Sequence, residues 1–175
     1  WPYAAGRGIV LNAEQLTKEQ RRDACLTVIA AEFAVVPEEG EALARWLRLP
    51  APLVRLMHDA ARLVGLWGRL GEDEQKPSVT YRLLLGIDVR AIEAALHIDP
   101  LIRDTVASAR LRDYLDRLRF IRTELDGHYL RAVGVPPGPQ YKRVLDALLD
   151  AKLDGIVGNR AEEAEYVRRM LESGA

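Results

Sequence analysis

Apolar residues recur every three to four positions along almost the whole chain, the spacing of a helix face rather than the alternation of a strand. Thr17 with Gln20 three positions on has the form of a capping box, and Ala24, Leu26, Val28, Ile29, Phe33 and Val36 follow at helical spacing. Pro37 opens a second helix with Glu38 and Glu39 in its first turn, where the helix dipole favours acids. Leu43, Trp46, Leu47 and Leu49 form its apolar side, and Pro50 closes it. A third helix, from about Pro52 to Leu70, has a broad apolar face of Leu53, Leu56, Met57, Ala60, Leu63, Val64 and Trp67. Shorter helices are predicted after Pro77-Ser78, stopping at Gly86, and over Val89 to Leu96. The stripe Val106, Leu111, Tyr114, Leu115, Leu118 and Ile121 predicts a long helix from Pro100 to about Ile121. Asp126-Gly127 caps a short one over His128 to Val133, another runs from Pro139 to Leu153, and Asn159 caps the last, with Glu162 and Glu163 in its first turns. No segment reads as a strand, so the expected fold is all-α, a multi-helix bundle of about nine helices. The charged loop "GEDEQK" at Gly71 to Lys76 divides it into a helical body over 1–71 and a helical tail over 72–175.

Composition narrows what such a bundle does. With 49% hydrophobic and 29% charged residues, the chain has the means to pack a core and is unlike a disordered one. Its net charge of −1 means that nucleic acid or a membrane surface would have to be met by a local patch, not by an overall field. Cys25, the one cysteine, forms no internal disulfide and supplies no zinc set; it reads as a buried thiol in a reducing compartment. Charges interrupt every apolar run short of the ~18 residues of a membrane helix. With no secretory leader visible, a cytoplasmic location without membrane contact is expected. The opening Trp1-Pro2-Tyr3, without an initiator methionine, reads as part of a longer protein.

Catalytic patterns are missing from the sequence. His58, His97 and His128 fall on different predicted helices without i, i+4 partners. There is no phosphate-binding glycine loop followed by Lys-Ser/Thr and no nucleophile elbow. Metal-dependent phosphoryl transfer calls for closely spaced carboxylates, and no Asp-x-Asp occurs; Glu72-Asp73-Glu74 lies in the charged loop. No catalytic, metal-binding or cofactor-binding residue is expected within this chain.

Binding has more candidates. The predicted long helix carries Arg103, Arg110, Arg112, Arg117, Arg119 and Arg122 against Asp104, Asp113 and Asp116. At about 100° per residue, Arg103, Arg110 and Arg117 edge one side of its apolar stripe, and Arg112 and Arg119 the other. Arginine suits bidentate phosphate contacts, but arginines beside a buried stripe also pair with acids and solubilise a helix. A second candidate is "RAVGVPPGPQYKR", Arg131 to Arg143. Gly134 suits a left-handed helix end, Pro136 and Pro137 stiffen the turn, and Pro139 suits a first helical turn. Gly138 permits close approach of a backbone, and the amides of Gly138, Gln140 and Tyr141 would face outward beside Lys142 and Arg143 as an anion site. This is the logic of a helix-hairpin-helix, which meets nucleic-acid phosphate rather than sequence. A tight helical hairpin that only packs satisfies the same residues equally well.

Three stretches also carry a family resemblance: "KPSVTYRLLLGI" (Lys76 to Ile87), "LRDYLDRLRFIRTELDGHYLRAVGVPPGPQYKRVLDALLDAKLDG" (Leu111 to Gly155) and "NRAEEAEYVRRML" (Asn159 to Leu171). Together they resemble the C-terminal body and tail of bacterial class II tRNA nucleotidyltransferase/poly(A) polymerase family proteins, the CCA-adding and A-adding enzymes. The resemblance runs from about Leu43 to the C-terminus. It implies a parent enzyme whose N-terminal head, absent here, holds Mg and CTP or ATP and extends the tRNA 3′ end, so the expected partners are tRNA and that head in cis. The family's Glu-Asp-x-x-Arg neck motif is imitated by Glu72 to Lys76, but too far along the chain and with Lys in place of Arg, so nucleotide selection is not carried over. The phosphate contacts expected on this basis are Lys142, Arg143 and the amides at Gly138, Gln140 and Tyr141, followed by Arg119, Arg122, Lys76, Arg82 and Lys152. The alternative is a helical protein-interaction or oligomerisation domain without RNA binding, which the near-neutral charge, Asp126, Asp146 and Trp1 would favour.

Overall fold

Local capping signals set most of the helix starts. In the computed structural model, which describes residues 16–33, 36–98, 105–135 and 138–172, nine α-helices and one short 3-10 turn are found among the described residues, with no strand. They are α1 (Lys18–Phe33), α2 (Pro37–Trp46), α3 (Ala51–Leu70), α4 (Pro77–Leu84), α5 (Val89–His97), α6 (Val106–Asp116), α7 (Gly127–Ala132), α8 (Pro139–Leu153) and α9 (Arg160–Glu172). The fold is all-α. Thr17 Oγ1 accepts the Gln20 N–H at 3.2 Å and Gln20 Oε1 accepts the Thr17 N–H at 2.9 Å, closing the capping box ahead of α1. Asp126 caps α7 by accepting the N–H groups of His128 and Tyr129 at 2.9 and 3.2 Å, and Asn159 caps α9 through Ala161 and Glu162.

The chain divides into two compact units. Unit 1 comprises 1–75 and 83–115; unit 2 comprises 76–82 and 116–175. In unit 1, α3 packs against α1, α2 and α5, burying Leu56, Met57, Leu63, Ala60 and Ile92. Gly40 lets α2 cross α3 closely: a Cβ there would lie 2.6 Å from the Met57 carbonyl oxygen. Buried Asp59 ties α3 to the start of α5, its Oδ2 accepting the Asp88 N–H at 2.8 Å while Oδ1 meets His58 Nδ1 at 3.1 Å. Unit 2 packs α7, α8 and α9 around Leu125, Leu130, Val144, Leu148, Val157 and Val167. Asp154 at the end of α8 accepts the Ser78 N–H and hydroxyl at 2.8 and 2.9 Å, holding the first turn of α4 within the unit.

Three expectations need correction. The long helix does not reach Ile121: α6 ends at Asp116, Arg117 leaves helical geometry at φ −134° and ψ −60°, and Leu118–Phe120 form a 3-10 turn. Past Asp116 the bonding tightens to three-residue spacing, with the Phe120 N–H on the Arg117 carbonyl and the Ile121 N–H on the Leu118 carbonyl, both at 3.1 Å. Farther on, the Glu163 carboxylate accepts the Glu124 and Leu125 N–H groups at 2.9 and 3.0 Å. The predicted start of that helix at Pro100, with Arg103 and Asp104, lies outside the described residues. The second helix stops at Trp46, not at Pro50, because Arg48 turns left-handed at φ 55° and the Leu49 N–H returns to the Ala44 carbonyl at 3.0 Å. Cys25 is exposed rather than buried, since α1 turns its neighbours Ala24 and Leu26 inward instead.

Candidate nucleic-acid interface

The hairpin between α7 and α8 is built by backbone geometry first. Gly134 sits at φ +86°, a left-handed position that a side chain would strain. Its N–H bonds the Arg131 carbonyl at 3.1 Å and the next N–H, from Val135, bonds the Leu130 carbonyl at 3.0 Å, so α7 closes on its own carbonyls. Val135 is buried beneath the turn. Its carbonyl accepts the Tyr141 hydroxyl at 3.0 Å, which clamps the far side of the turn to the first turn of α8. The Tyr141 ring also rests near Gly127, where a Cβ would sit 3.5 Å from its edge. Pro136 and Pro137 lie outside the described residues.

At the head of α8, Gly138 is extended, with φ 164°, and no atom lies within 4 Å of where its Cβ would be. Neither backbone conformation nor packing therefore calls for glycine there. Pro139 begins the helix. Of the three amides expected to face outward, that of Tyr141 is used, donating to the Gly138 carbonyl at 3.0 Å, and Gln140 has an interaction of its own. Lys142 and Arg143 are exposed. Asp126, Gly127, His128, Arg131 and Tyr141 line a shallow hollow beside this turn. Arg131 and His128 thus join the site, although neither was among the expected contacts. Arg131 stands in the same quoted stretch, seven positions before Gly138 in the sequence, and helical geometry at α7 is what turns it to the hollow.

The remaining candidates separate by what they touch. Arg82 lies on α4 with its Nε 3.0 Å from Asp150 Oδ1 and Nη1 3.4 Å from Asp146 Oδ1. Lys152 places its Nζ 2.5 Å from Glu163 Oε1 and 3.6 Å from Glu124 Oε1. Both cations serve ion pairs within unit 2. Arg110 likewise donates to the Leu70 and Glu72 carbonyls within unit 1. Lys76 is exposed just ahead of α4, its carbonyl accepting the Val79 and Thr80 N–H groups at 3.1 and 3.2 Å. Arg119 lies in the 3-10 turn and Arg122 just beyond it, so neither keeps the helical register with Arg112. Asp146 faces Arg82, whereas Asp126 caps α7 and keeps its negative charge at the edge of the hollow. No group of three or more His, Cys, Asp or Glu is placed to hold a metal among the described residues, and none of the described helices is long and apolar enough to cross a membrane.

The Tyr141 clamp is open to measurement. Tyr141→Phe removes one partly buried hydrogen bond and keeps the ring, and should lower the urea midpoint of unit 2 by the equivalent of about 0.5–1.5 kcal/mol. An unchanged midpoint would mean that the hydroxyl contact with Val135 does not hold the turn.

Over 60 residues, 34% of this chain, the sequence is 37% identical to an A-adding tRNA nucleotidyltransferase of Geobacter sulfurreducens. The match spans 7% of that protein's length. No family model matches the chain, and no solved structure matches it. The likeness supports a relation to the tRNA nucleotidyltransferase family over that third of the chain.

Proposed function

We propose that this chain is a tRNA-binding region of a tRNA nucleotidyltransferase, holding the RNA by its phosphates while a separate catalytic head adds CCA or A at the 3′ end. The observation that carries the proposal is the head of α8: a helix N-terminus whose first turns carry exposed Lys142 and Arg143 and are held by the Tyr141 clamp. A helix N-terminus favours anions, and cations beside it strengthen that preference. Arg131 borders the adjoining hollow, opposite in charge to Asp126 there, and adds one more cation near the turn. Arg119, Arg122 and Lys76 are further contacts, whereas Arg82 and Lys152 are set aside because carboxylates already neutralise them. Recognition of this kind reads shape and backbone, as expected for a structured RNA. The partial likeness to an A-adding tRNA nucleotidyltransferase supports the same reading. A helical protein-interaction domain is the second reading, favoured by Phe33 and Trp46 of unit 1, exposed at 74% and 78%.

The test is a salt titration of binding to a tRNA transcript, comparing the parent chain with Lys142→Ala/Arg143→Ala. Losing two phosphate contacts should weaken binding and make the slope of log K against log salt shallower by about 1–2. An unchanged slope would remove α8 from the interface. Absence of binding at low salt would favour the protein-interaction reading.

A further inference from the structure

The 3-10 turn after α6 presents an aromatic side chain that the core does not use. Phe120 is 61% exposed, so it forfeits most of what burying a phenylalanine would contribute. The turn itself is well fastened. Leu118 is fully buried beneath it. The Phe120 N–H bonds the Arg117 carbonyl at 3.1 Å, and the Ile121 N–H bonds the Leu118 carbonyl at 3.1 Å. Arg122 Nη1 then donates to the Arg119 and Ile121 carbonyls at 2.8 and 2.7 Å, bracing the turn from outside. Arg119 lies with its guanidinium carbon 4.6 Å from the centre of the Phe120 ring, a cation–π contact that stacks the two groups. Its Nε has no hydrogen-bond partner.

Charge chooses between possible occupants. From Arg117 to Arg122 the chain has three arginines and no acid; exposed Asp116 precedes them, and Glu124, which follows, faces Lys152. The Arg119 guanidinium against the ring makes this surface cationic as well as aromatic. A nucleobase satisfies both chemistries: its π-face stacks on the ring or on the guanidinium plane, and the phosphate next to it meets the cations. Resting on the RNA-binding reading above, we infer that Phe120 is a stacking ledge for an unpaired base, with Arg119 as its second layer and Arg122 beside the neighbouring phosphate. The hairpin grips backbone without regard to pairing; this turn adds a preference for single-stranded positions.

The experiment measures binding of the full chain to two probes across a salt series: an oligoadenylate of about ten nucleotides, within the site sizes of stacking-based binders, and a duplex RNA of the same length. Phe120→Ala should weaken oligoadenylate binding about five- to a hundred-fold, the range contributed by one stacked base. The salt slope should stay unchanged because no charge is lost, and duplex affinity should stay unchanged as well. Phe120→Trp should restore oligoadenylate binding. Equal losses on both probes, no loss on either, or a large fall in the urea midpoint of Phe120→Ala would overturn the ledge while the Lys142→Ala/Arg143→Ala slope still supports the hairpin. A parent chain that binds neither probe nor a tRNA transcript at low salt would sink both.

Discussion

Glu163→Ala should destabilise unit 2 by about 3–5 kcal/mol, the range for breaking one side of a buried ion pair. The Glu163 side chain is 0% exposed and gathers three donors: the N–H groups of Glu124 and Leu125 at 2.9 and 3.0 Å and the Lys152 ammonium at 2.5 Å. Removing the carboxylate orphans two amides and leaves a largely buried ammonium facing only Glu124, which is half exposed. Glu163→Gln keeps an oxygen for the amides and should cost less. The readout is hydrogen exchange of the α8 and α9 amides, which separates unit 2 from the rest of the chain. Unaltered protection of those amides would mean that the carboxylate is not what fixes residues 124 and 125.

The same pair makes a prediction for alkaline pH. The hydrogen bond to Glu163 raises the Lys152 pKa, outweighing the burial that opposes it, and the Glu163 and Glu124 charges add to the rise. A value raised in the folded state gives a contribution that is complete below the unfolded lysine value of about 10.4. That contribution is lost as pH climbs through the higher folded value. Lys152→Met should therefore lose stability at neutral pH and lack the parent's further decline above about pH 10.4.

Glu163 also shows where sequence reading stops. As an acid near the start of α9 it reads as a dipole partner, and the position is right, but nothing local announces that it is buried or that it binds residues 124 and 125. The break at Arg117 was hidden as well, because the stripe through Leu118 and Ile121 continues at helical spacing past it. By contrast Thr17 with Gln20, Asp126, Asn159, Pro77 and Pro139 were legible because a cap or a first-turn proline acts within a few residues. The candidate site divides in the same manner. The turn at Gly134 and the run Pro139 to Arg143 could be read directly, since φ and first-turn preferences are local. Which cations remain available could not: Arg82 and Lys152 resemble Lys142 and Arg143 in sequence, and only the fold brings Asp150 and Glu163 to the first two.

Gly40→Ala tests the packing of unit 1, with the sign of the effect as the answer. Helix preference alone says that alanine in α2 should stabilise by about 0.8–1 kcal/mol. Packing says the opposite, because the added Cβ would stand 2.6 Å from the Met57 carbonyl oxygen, 3.2 Å from its carbon and 3.3 Å from the Ala61 Cβ. None of these neighbours is the loose end of a flexible side chain. Met57 is fully buried in the middle of α3, so relief would require moving one helix off the other. Overpacking of this kind typically costs 1–3 kcal/mol, and contact with backbone places it near the top, at about 3 kcal/mol. Trp46 and Trp67 both belong to unit 1, so tryptophan fluorescence in urea reports this unit. Gly65→Ala provides the control: it is also helical, and nothing lies within 4 Å of its added Cβ. It should stabilise by up to about 1 kcal/mol. If Gly40→Ala moved the midpoint in the same direction as Gly65→Ala, the close crossing of α2 over α3 would be wrong, whatever the rest of the bundle does.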